Sequence, residues 1–122
     1  MEKRSTVDIH ATLFSHCHTY QYLPYGDYCY TDGIELMSNL CNAHWLIDKI
    51  MSYQPALVEI LVLYCQLWCL EKSNYTNEWS LTMKENSLGP TLIHEKIENC
   101  DFPLNRFEAF FSSNILMLPQ EG

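Results

Sequence analysis

The chain has 122 residues, with seven basic and fifteen acidic side chains and a formal net charge of −8 at pH 7. Apolar residues make up 48% of the sequence and charged residues 18%, a balance that argues against disorder. A chain of this length typically forms one domain, so we expect residues 1–122 to fold as a single unit. The negative charge repels phosphate groups, which disfavours binding to nucleic acid or to an anionic membrane surface.

The sequence predicts a cytoplasmic protein. Residues 1–8 lack the apolar block of a secretory signal. The most apolar stretch, residues 56–70, contains Glu59 and Gln66 and is shorter than the about 20 residues that a membrane helix needs. The six cysteines are therefore expected to be mostly free thiols in a reducing compartment.

Two elements are predicted near the start of the chain. Ser5, followed three residues later by Asp8, resembles a capping box and predicts a short helix over residues 6–15. One face of that helix would carry Val7, His10, Ala11 and Phe14. The tyrosine-rich segment that follows has turn residues at its centre, Pro24 to Asp27, so we expect two short strands or extended arms around a turn.

The strongest helix signal begins at Asp32, whose carboxylate can cap the first turn, and Glu35 suits the helix dipole there. The pattern predicts one long, largely buried helix that ends near Tyr53, because Pro55 disfavours helical geometry in the residue before it. Its apolar face would comprise Leu36, Leu40, Ala43, Ile47 and Ile50 or Met51, widened by Met37, Cys41 and Trp45.

The second half of the chain predicts a sheet. After a helical turn at residue 55 we expect a strand over about residues 63–71, and the alternating segments 78–84 and 91–98 predict two more strands. Residues 101–111 are expected to turn into a short helix that buries Phe107, Phe110 and Phe111, before a last strand over residues 115–118. The predicted fold class is α+β, with the long helix on a small, mainly antiparallel sheet of about three to five strands and short helices at both ends.

Four short segments resemble landmarks of a family of small bacterial proteins of unknown function, common in cyanobacteria and mobile elements. They are Tyr30-Thr31-Asp32-Gly33, His44-Trp45-Leu46-Ile47-Asp48, Asp101-Phe102-Pro103-Leu104 and Leu116-Met117-Leu118-Pro119. Their order and spacing agree with the family over about residues 13–119. The resemblance implies an α+β domain without an assigned activity. Similar sequences carry Phe-Thr-Gly where this chain has Phe14-Ser15-His16, so the resemblance does not explain the histidines and cysteine that follow.

The most reactive segment by composition is His16-Cys17-His18. Imidazole and thiolate are favoured ligands of zinc, so these three residues form a candidate metal site, for which Cys65 and Cys69 are candidate further ligands. The spacing fits no standard zinc finger, however, and packed thiols beside a helix end explain the same residues. Cys17 next to a histidine is also the one local candidate for a nucleophile.

Other catalytic patterns are weak. With four glycines in the chain, neither of the Gly-rich nucleotide-binding fingerprints can be written. Asp32, Asp48 and Asp101 would form a hydrolytic site if they met in a cleft, but capping accounts for Asp32 and Asp101. No complete catalytic set is visible, and no cofactor is expected apart from a possible zinc ion.

The tyrosines provide the leading functional hypothesis. Five of them lie within eleven residues around a turn, too many to bury together, so Tyr20, Tyr22, Tyr25 and Tyr28 are candidate binding residues. We therefore expect a small acidic protein that binds another protein or a second copy of itself. The alternative is a protein that binds a metal or a small ligand through residues 16–18 or through an aromatic groove.

Overall fold

The computed structural model describes residues 22–60 and 65–121, which form a seven-stranded mixed sheet with two α-helices. The strands are β1 (Tyr22–Tyr25), β2 (Tyr28–Thr31), β3 (Cys65–Lys72), β4 (Trp79–Lys84), β5 (Thr91–Ile97), β6 (Arg106–Ser112) and β7 (Ile115–Met117). The helices are α1 (Asp32–Cys41) and α2 (His44–Ile60), and a 3-10 turn covers Pro119–Glu121. The strand order is β1-β2-β7-β6-β3-β4-β5; β2 and β7 run parallel, and the other neighbouring pairs are antiparallel.

The predicted fold class was wrong. The sheet has seven strands where about three to five were expected, and two helices replace the single long one. The predicted helix over residues 6–15 lies outside the described residues. The two short strands predicted around the turn at Gly26, and the strands predicted near residues 63–71, 78–84, 91–98 and 115–118, are confirmed as β1, β2, β3, β4, β5 and β7.

The long helix is interrupted at Asn42, which adopts the left-handed conformation with φ 51° and ψ 48°. The N–H of Ala43 then donates to the carbonyl of Ser38 at 2.9 Å, a bond that closes the end of α1. Asparagine tolerates this conformation better than most residues, so no glycine marks the break in the sequence. The cap of α1 also differs by one residue from the prediction: the hydroxyl of Thr31 accepts the N–H of Ile34 at 3.3 Å.

Pro55 does not end the second helix, contrary to the prediction. It lies inside α2 on an exposed position, while Gln54 and Leu57 on either side of it are buried. A proline in a helix interior costs about 3 kcal/mol. The packing of the turn that contains Gln54 and Leu57 offsets that cost, so the helix continues to Ile60.

The predicted C-terminal helix is instead the strand β6. Its side chains alternate, with Phe107, Ala109 and Phe111 buried and Phe110 half-buried on the other side. Because β6 is paired with β3 on one side and β7 on the other, the backbone hydrogen bonds of a central strand outweigh the helical spacing of the phenylalanines.

The core lies between the helices and one face of the sheet. Trp68, Leu81 and Leu116 from the strands and Ile34 and Ile47 from the helices are all at most 1% exposed. The opposite face, here called the open face, has no helix or strand packed on it among the described residues. It carries Cys29 of β2, Cys65, Leu67, Cys69 and Glu71 of β3, Ser80, Thr82 and Lys84 of β4, His94 and Lys96 of β5, Arg106, Glu108, Phe110 and Ser112 of β6, and Ile115 and Met117 of β7.

A buried amide pair fastens α2 to β3. Gln54 and Gln66 exchange two hydrogen bonds of 2.9 Å, each side-chain amide donating to the other's carbonyl oxygen. Gln54 Nε2 also donates to the carbonyl of Ile50 at 3.2 Å, and the indole N–H of Trp68 donates to Gln66 Oε1 at 2.9 Å. Buried polar groups need such partners, so this pair specifies how the helix sits on the sheet.

The four landmark segments contribute to the fold. Each supplies at least one buried apolar residue, from Tyr30 in the first segment to Leu118 in the last. Three of them include the end of a helix or strand, and the segment 101–104 lies in the loop between β5 and β6. Their role in this chain is to join elements onto the core.

Candidate functional site

The sheet has two edges of different character. β1 has four residues and includes Pro24, which lacks the N–H that a further strand would need. β5, at the other edge, has seven residues without proline and pairs with β4 alone among the described strands. An edge strand presents unpaired backbone N–H and C=O groups along its outer side. The β5 edge is therefore the better platform for a further strand.

A bulge shapes the start of this edge. The register between β4 and β5 shifts at Met83 and Lys84, which pair with Ile93 and Thr91 and leave Leu92 as the extra residue. Leu92 is 41% exposed. A bulge at a sheet edge changes the direction of a side chain, and here it leaves the apolar side chain of Leu92 exposed to solvent.

A second exposed leucine stands at the tip of the same hairpin. Leu88 is 97% exposed, and its backbone N–H donates to the side-chain oxygen of Asn86 at 3.0 Å. The N–H of Gly89 donates to the carbonyl of Asn86 at 3.1 Å, so two hydrogen bonds define the turn. Three large apolar side chains are exposed in the described part of the chain, and two of them, Leu88 and Leu92, belong to this hairpin.

Glu95 anchors β5 to α2. Its carboxylate accepts a hydrogen bond from the Tyr53 hydroxyl and lies 2.7 Å from Lys49 Nζ. The hydrogen bond from Lys49, and after it the one from Tyr53, hold the pKa of Glu95 below its ordinary value. The hydrogen bond to Glu95, together with burial, raises the pKa of Tyr53 to about 12. The ring of Tyr53 also packs on Trp68 with ring centres 5.4 Å apart. The charge on the inner side of β5 is thus neutralised within the molecule.

The outer part of β5 borders a groove of about 370 Å³ on the open face. His94 and Lys96 of β5 and Ser80 of β4 line it, together with Glu78, whose carboxylate lies 3.5 Å from Lys96 Nζ. The candidate edge therefore combines two apolar side chains at one end of β5 with a groove lined by His94 and Lys96 at the other.

The predicted tyrosine site is partly engaged in the fold. Tyr25 is half-buried, and its hydroxyl donates to Asp48 Oδ1 at 2.5 Å. Tyr28 packs edge-on against Phe111, with ring centres 5.7 Å apart. Tyr20 and the side chain of Tyr22 lie outside the described residues. A binding role for these four tyrosines stays a prediction.

The related Tyr30 is buried, and its hydroxyl donates to Glu35 Oε2 at 2.7 Å. Its pKa is raised to about 12, by burial first and by this bond second. The two tyrosine–carboxylate bonds tie the β1–β2 hairpin to both helices, and Asp48 thereby bonds a neighbouring strand.

The predicted metal ligands His16, Cys17 and His18 lie outside the described residues, so a zinc site there stays a prediction. Within the described ranges, no three histidine, cysteine, aspartate or glutamate side chains are grouped as metal ligands. This covers Asp32, Asp48 and Asp101, and also Cys65 and Cys69. Burial raises the pKa of both thiols, that of Cys69 to about 11, so they are protonated at neutral pH.

The β5 edge was missed at the sequence level. The alternating pattern of residues 91–98 predicted a strand, but the position of a strand in the sheet depends on pairings between distant segments. Gly89 and Pro90 indicate a turn next to Leu88, but a turn signal by itself does not predict that the leucine is exposed.

No helix in the described residues is long and apolar enough to cross a bilayer. The model of a family of unknown function, DUF6876, matches residues 9–122. No curated protein and no solved structure matches the chain.

Proposed function

The chain belongs to the family of unknown function DUF6876, and we propose that it is a binding protein that pairs the β5 edge with an extended segment of another protein chain. The observation that carries this proposal is the combination of an unpaired edge strand with exposed leucines at its bulge and at its hairpin tip. Strand addition to a sheet edge is a recurring mode of protein recognition in which backbone hydrogen bonds provide affinity and side-chain contacts provide specificity.

The charge distribution supports this use of the edge. The protein has a net charge of −8, yet β5 carries one acid, Glu95, and one base, Lys96. A charge that points inward from an edge strand normally discourages pairing. Here Lys49 neutralises the charge of Glu95, whose carboxylate also accepts a hydrogen bond from Tyr53, and Lys96 is paired with Glu78. This strand therefore places no uncompensated charge against an incoming backbone.

The leucines set the expected strength of apolar anchoring. Leu88 is almost fully exposed, so its burial by a partner contributes about 2 kcal/mol. A change Leu88→Lys then weakens binding about thirtyfold. Leu92 is less exposed, so a partner can bury less of its surface, and Leu92→Lys is expected to reduce the binding free energy about half as much as Leu88→Lys.

Photocrosslinking tests the proposal. A photoreactive amino acid in place of Leu88, in cells that naturally make the protein, is expected to give a defined protein adduct, and Leu92→Lys in the same chain reduces its yield. The matched control carries the probe in place of Tyr75, which is 95% exposed on a different loop. Equal adducts from both positions, or none from position 88, would contradict the proposal.

Further properties belong to the same proposal. We propose a cytoplasmic protein without catalytic activity, folded as one domain, for which a second copy of the chain is one admissible partner. An adduct of twice the chain mass in the crosslinking experiment identifies self-association, and an adduct of another mass identifies a different partner. A bacterial origin stays a prediction from the resemblance.

A further inference from the structure

A cavity lies at one end of the sheet, beside the loop that joins β3 to β4. It has a volume of about 360 Å³ and is lined by this loop, by Lys72 and by Asn105, which precedes β6. Small-molecule sites have volumes of about 300–1,000 Å³, so the cavity, here called the loop cavity, is large enough for a small ligand. Among the described residues, none of β5 lines it, and the turn that carries Leu88 is at the opposite end of β4.

Hydrogen bonds within the β3–β4 loop hold its backbone in place. The N–H of Ser73 donates to the carbonyl of Glu78 at 2.8 Å and closes the loop. The Ser73 hydroxyl accepts the N–H of Tyr75 at 3.2 Å. The Thr76 hydroxyl accepts the N–H of Glu78, also at 3.2 Å. A loop that is ordered before a ligand arrives loses less conformational entropy on binding, so this loop is a suitable binding element.

Three asparagines give the loop cavity its capacity for hydrogen bonds. Asn74, Asn77 and Asn105 line it, and all three residues are exposed. Within the described part of the chain, their side-chain amides make no hydrogen bond, so the amide donors and acceptors are accessible to a ligand. An amide group both donates and accepts, as a hydroxyl group does. The asparagines therefore match a ligand that carries several hydroxyl groups.

The charge of the lining favours a neutral ligand. Of the described residues that line the loop cavity, Lys72 is the one with a charged side chain, although the protein has fifteen acidic residues. A hard metal cation prefers carboxylate oxygens, which this lining does not offer. An anion is repelled by the net charge of −8, which a single lysine does not offset. A neutral ligand rich in hydroxyl groups fits both conditions.

Tyr75 adds an exposed aromatic surface to the same cavity. Its side chain is 95% exposed, and it is the one large exposed side chain of the described residues that lies outside the β5 hairpin. An aromatic ring offers a large contact area at a low entropic cost. A sugar ring presents hydroxyl groups at its rim and C–H groups on its faces, so it matches both the amides and the tyrosine.

We propose that the loop cavity binds a neutral saccharide, with one face of a sugar ring on Tyr75 and its hydroxyl groups bonded to the asparagine amides. The inference does not rest on the proposed function of the β5 edge, because the two sites have no lining residue in common and lie on different loops.

Binding to oligosaccharides tests the proposal. The full-length protein is applied to an array of neutral and acidic oligosaccharides, and binding to at least one neutral member is expected. Isothermal titration calorimetry with that oligosaccharide then compares variants. Tyr75→Ala is expected to weaken binding about tenfold, as for the loss of one aromatic contact, while Tyr75→Phe keeps most of the affinity. Asn77→Ala is expected to weaken binding about fivefold, because an uncharged hydrogen bond is lost.

The matched control is Asn39→Ala, which changes an exposed asparagine on α1 that does not line the loop cavity and should leave the affinity unchanged. Urea unfolding of each variant reports whether the fold is intact. Absence of binding to every neutral oligosaccharide would overturn the proposal, and so would binding confined to acidic ones. Equal affinities of Tyr75→Ala and the unchanged protein would also contradict it.

Discussion

The pair Gln54 and Gln66 allows a sharp test of how α2 is fastened to the sheet. Replacing Gln66 with leucine removes the two bonds between the amides and the bond from the Trp68 indole. Gln54 Nε2 keeps its bond to the carbonyl of Ile50, but Gln54 Oε1 and the Trp68 N–H are left without these partners. Each buried polar group without a hydrogen-bond partner costs about 1–3 kcal/mol, and two are left, so Gln66→Leu is expected to destabilise the protein by about 2–6 kcal/mol.

The other single change is milder for a reason visible in the geometry. In Gln54→Leu, the indole of Trp68 still donates to Gln66 Oε1. Only Gln66 Nε2 loses its partner, which costs about 1–3 kcal/mol of unfolding free energy. In the double variant, the Trp68 N–H is the one group of this network that loses its partner, and this again costs about 1–3 kcal/mol of unfolding free energy. Its stability should therefore exceed that of Gln66→Leu, and its total cost should be well below the sum of the two single costs.

Urea unfolding, followed by the tryptophan fluorescence and evaluated at constant slope, measures all four proteins. Additive costs would refute the reasoning, because they would mean that the two amides do not satisfy each other. Gln54→Leu costing more than Gln66→Leu would refute the assigned role of Trp68. If Gln66→Leu fails to fold, recovery of folding in the double variant still distinguishes the two accounts.

Two further predictions concern pH and backbone geometry. The pKa of Glu95 is held below its ordinary value of 4.5, so its contribution to stability is present above that pH and is lost as the pH falls through the lower, folded-state pKa. Glu95→Gln should therefore flatten the acid side of the stability profile, measured by urea unfolding from pH 6 to 3, and the exposed Glu98→Gln should not. Asn42→Val forces a β-branched residue into φ 51° and should lower the free energy of unfolding by about 1–2 kcal/mol, while Asn42→Gly is tolerated. Asn39→Val, in the exposed interior of α1, is the control; an equal loss there would attribute the effect to helix propensity.

The sequence predicted the strands better than the helices because alternation is a local signal. Trp79, Leu81 and Met83 mark the inner face of β4 without any knowledge of the neighbouring strands. Phe107, Phe110 and Phe111 fit helical spacing equally well, and their assignment to β6 depends on pairing with β3, about forty residues earlier. The break at Asn42 has no glycine or proline to announce it, and Pro55 is tolerated because of tertiary packing.

The candidate binding edge was beyond local inference for the same reason. Whether β5 is central or peripheral depends on the order of all seven strands. The exposure of Leu92 follows from that order and from a one-residue bulge, whereas Leu88 is exposed at the tip of the β4–β5 hairpin. The composition of the tyrosine segment predicts a binding role, and the described members of that segment contribute packing and hydrogen bonds to the fold.

The parallel pairing of β2 with β7 constrains the order of folding. Cys29 and Tyr30 join the sheet through Ile115 and Leu116, and the N–H of Cys29 donates to the carbonyl of Asn114 at 2.9 Å. During synthesis the β1–β2 hairpin emerges from the ribosome long before β7 exists. It must wait for a loop of more than eighty residues to close, which is entropically costly and slow. The hairpin should therefore be the last part of the sheet to acquire protection from hydrogen exchange.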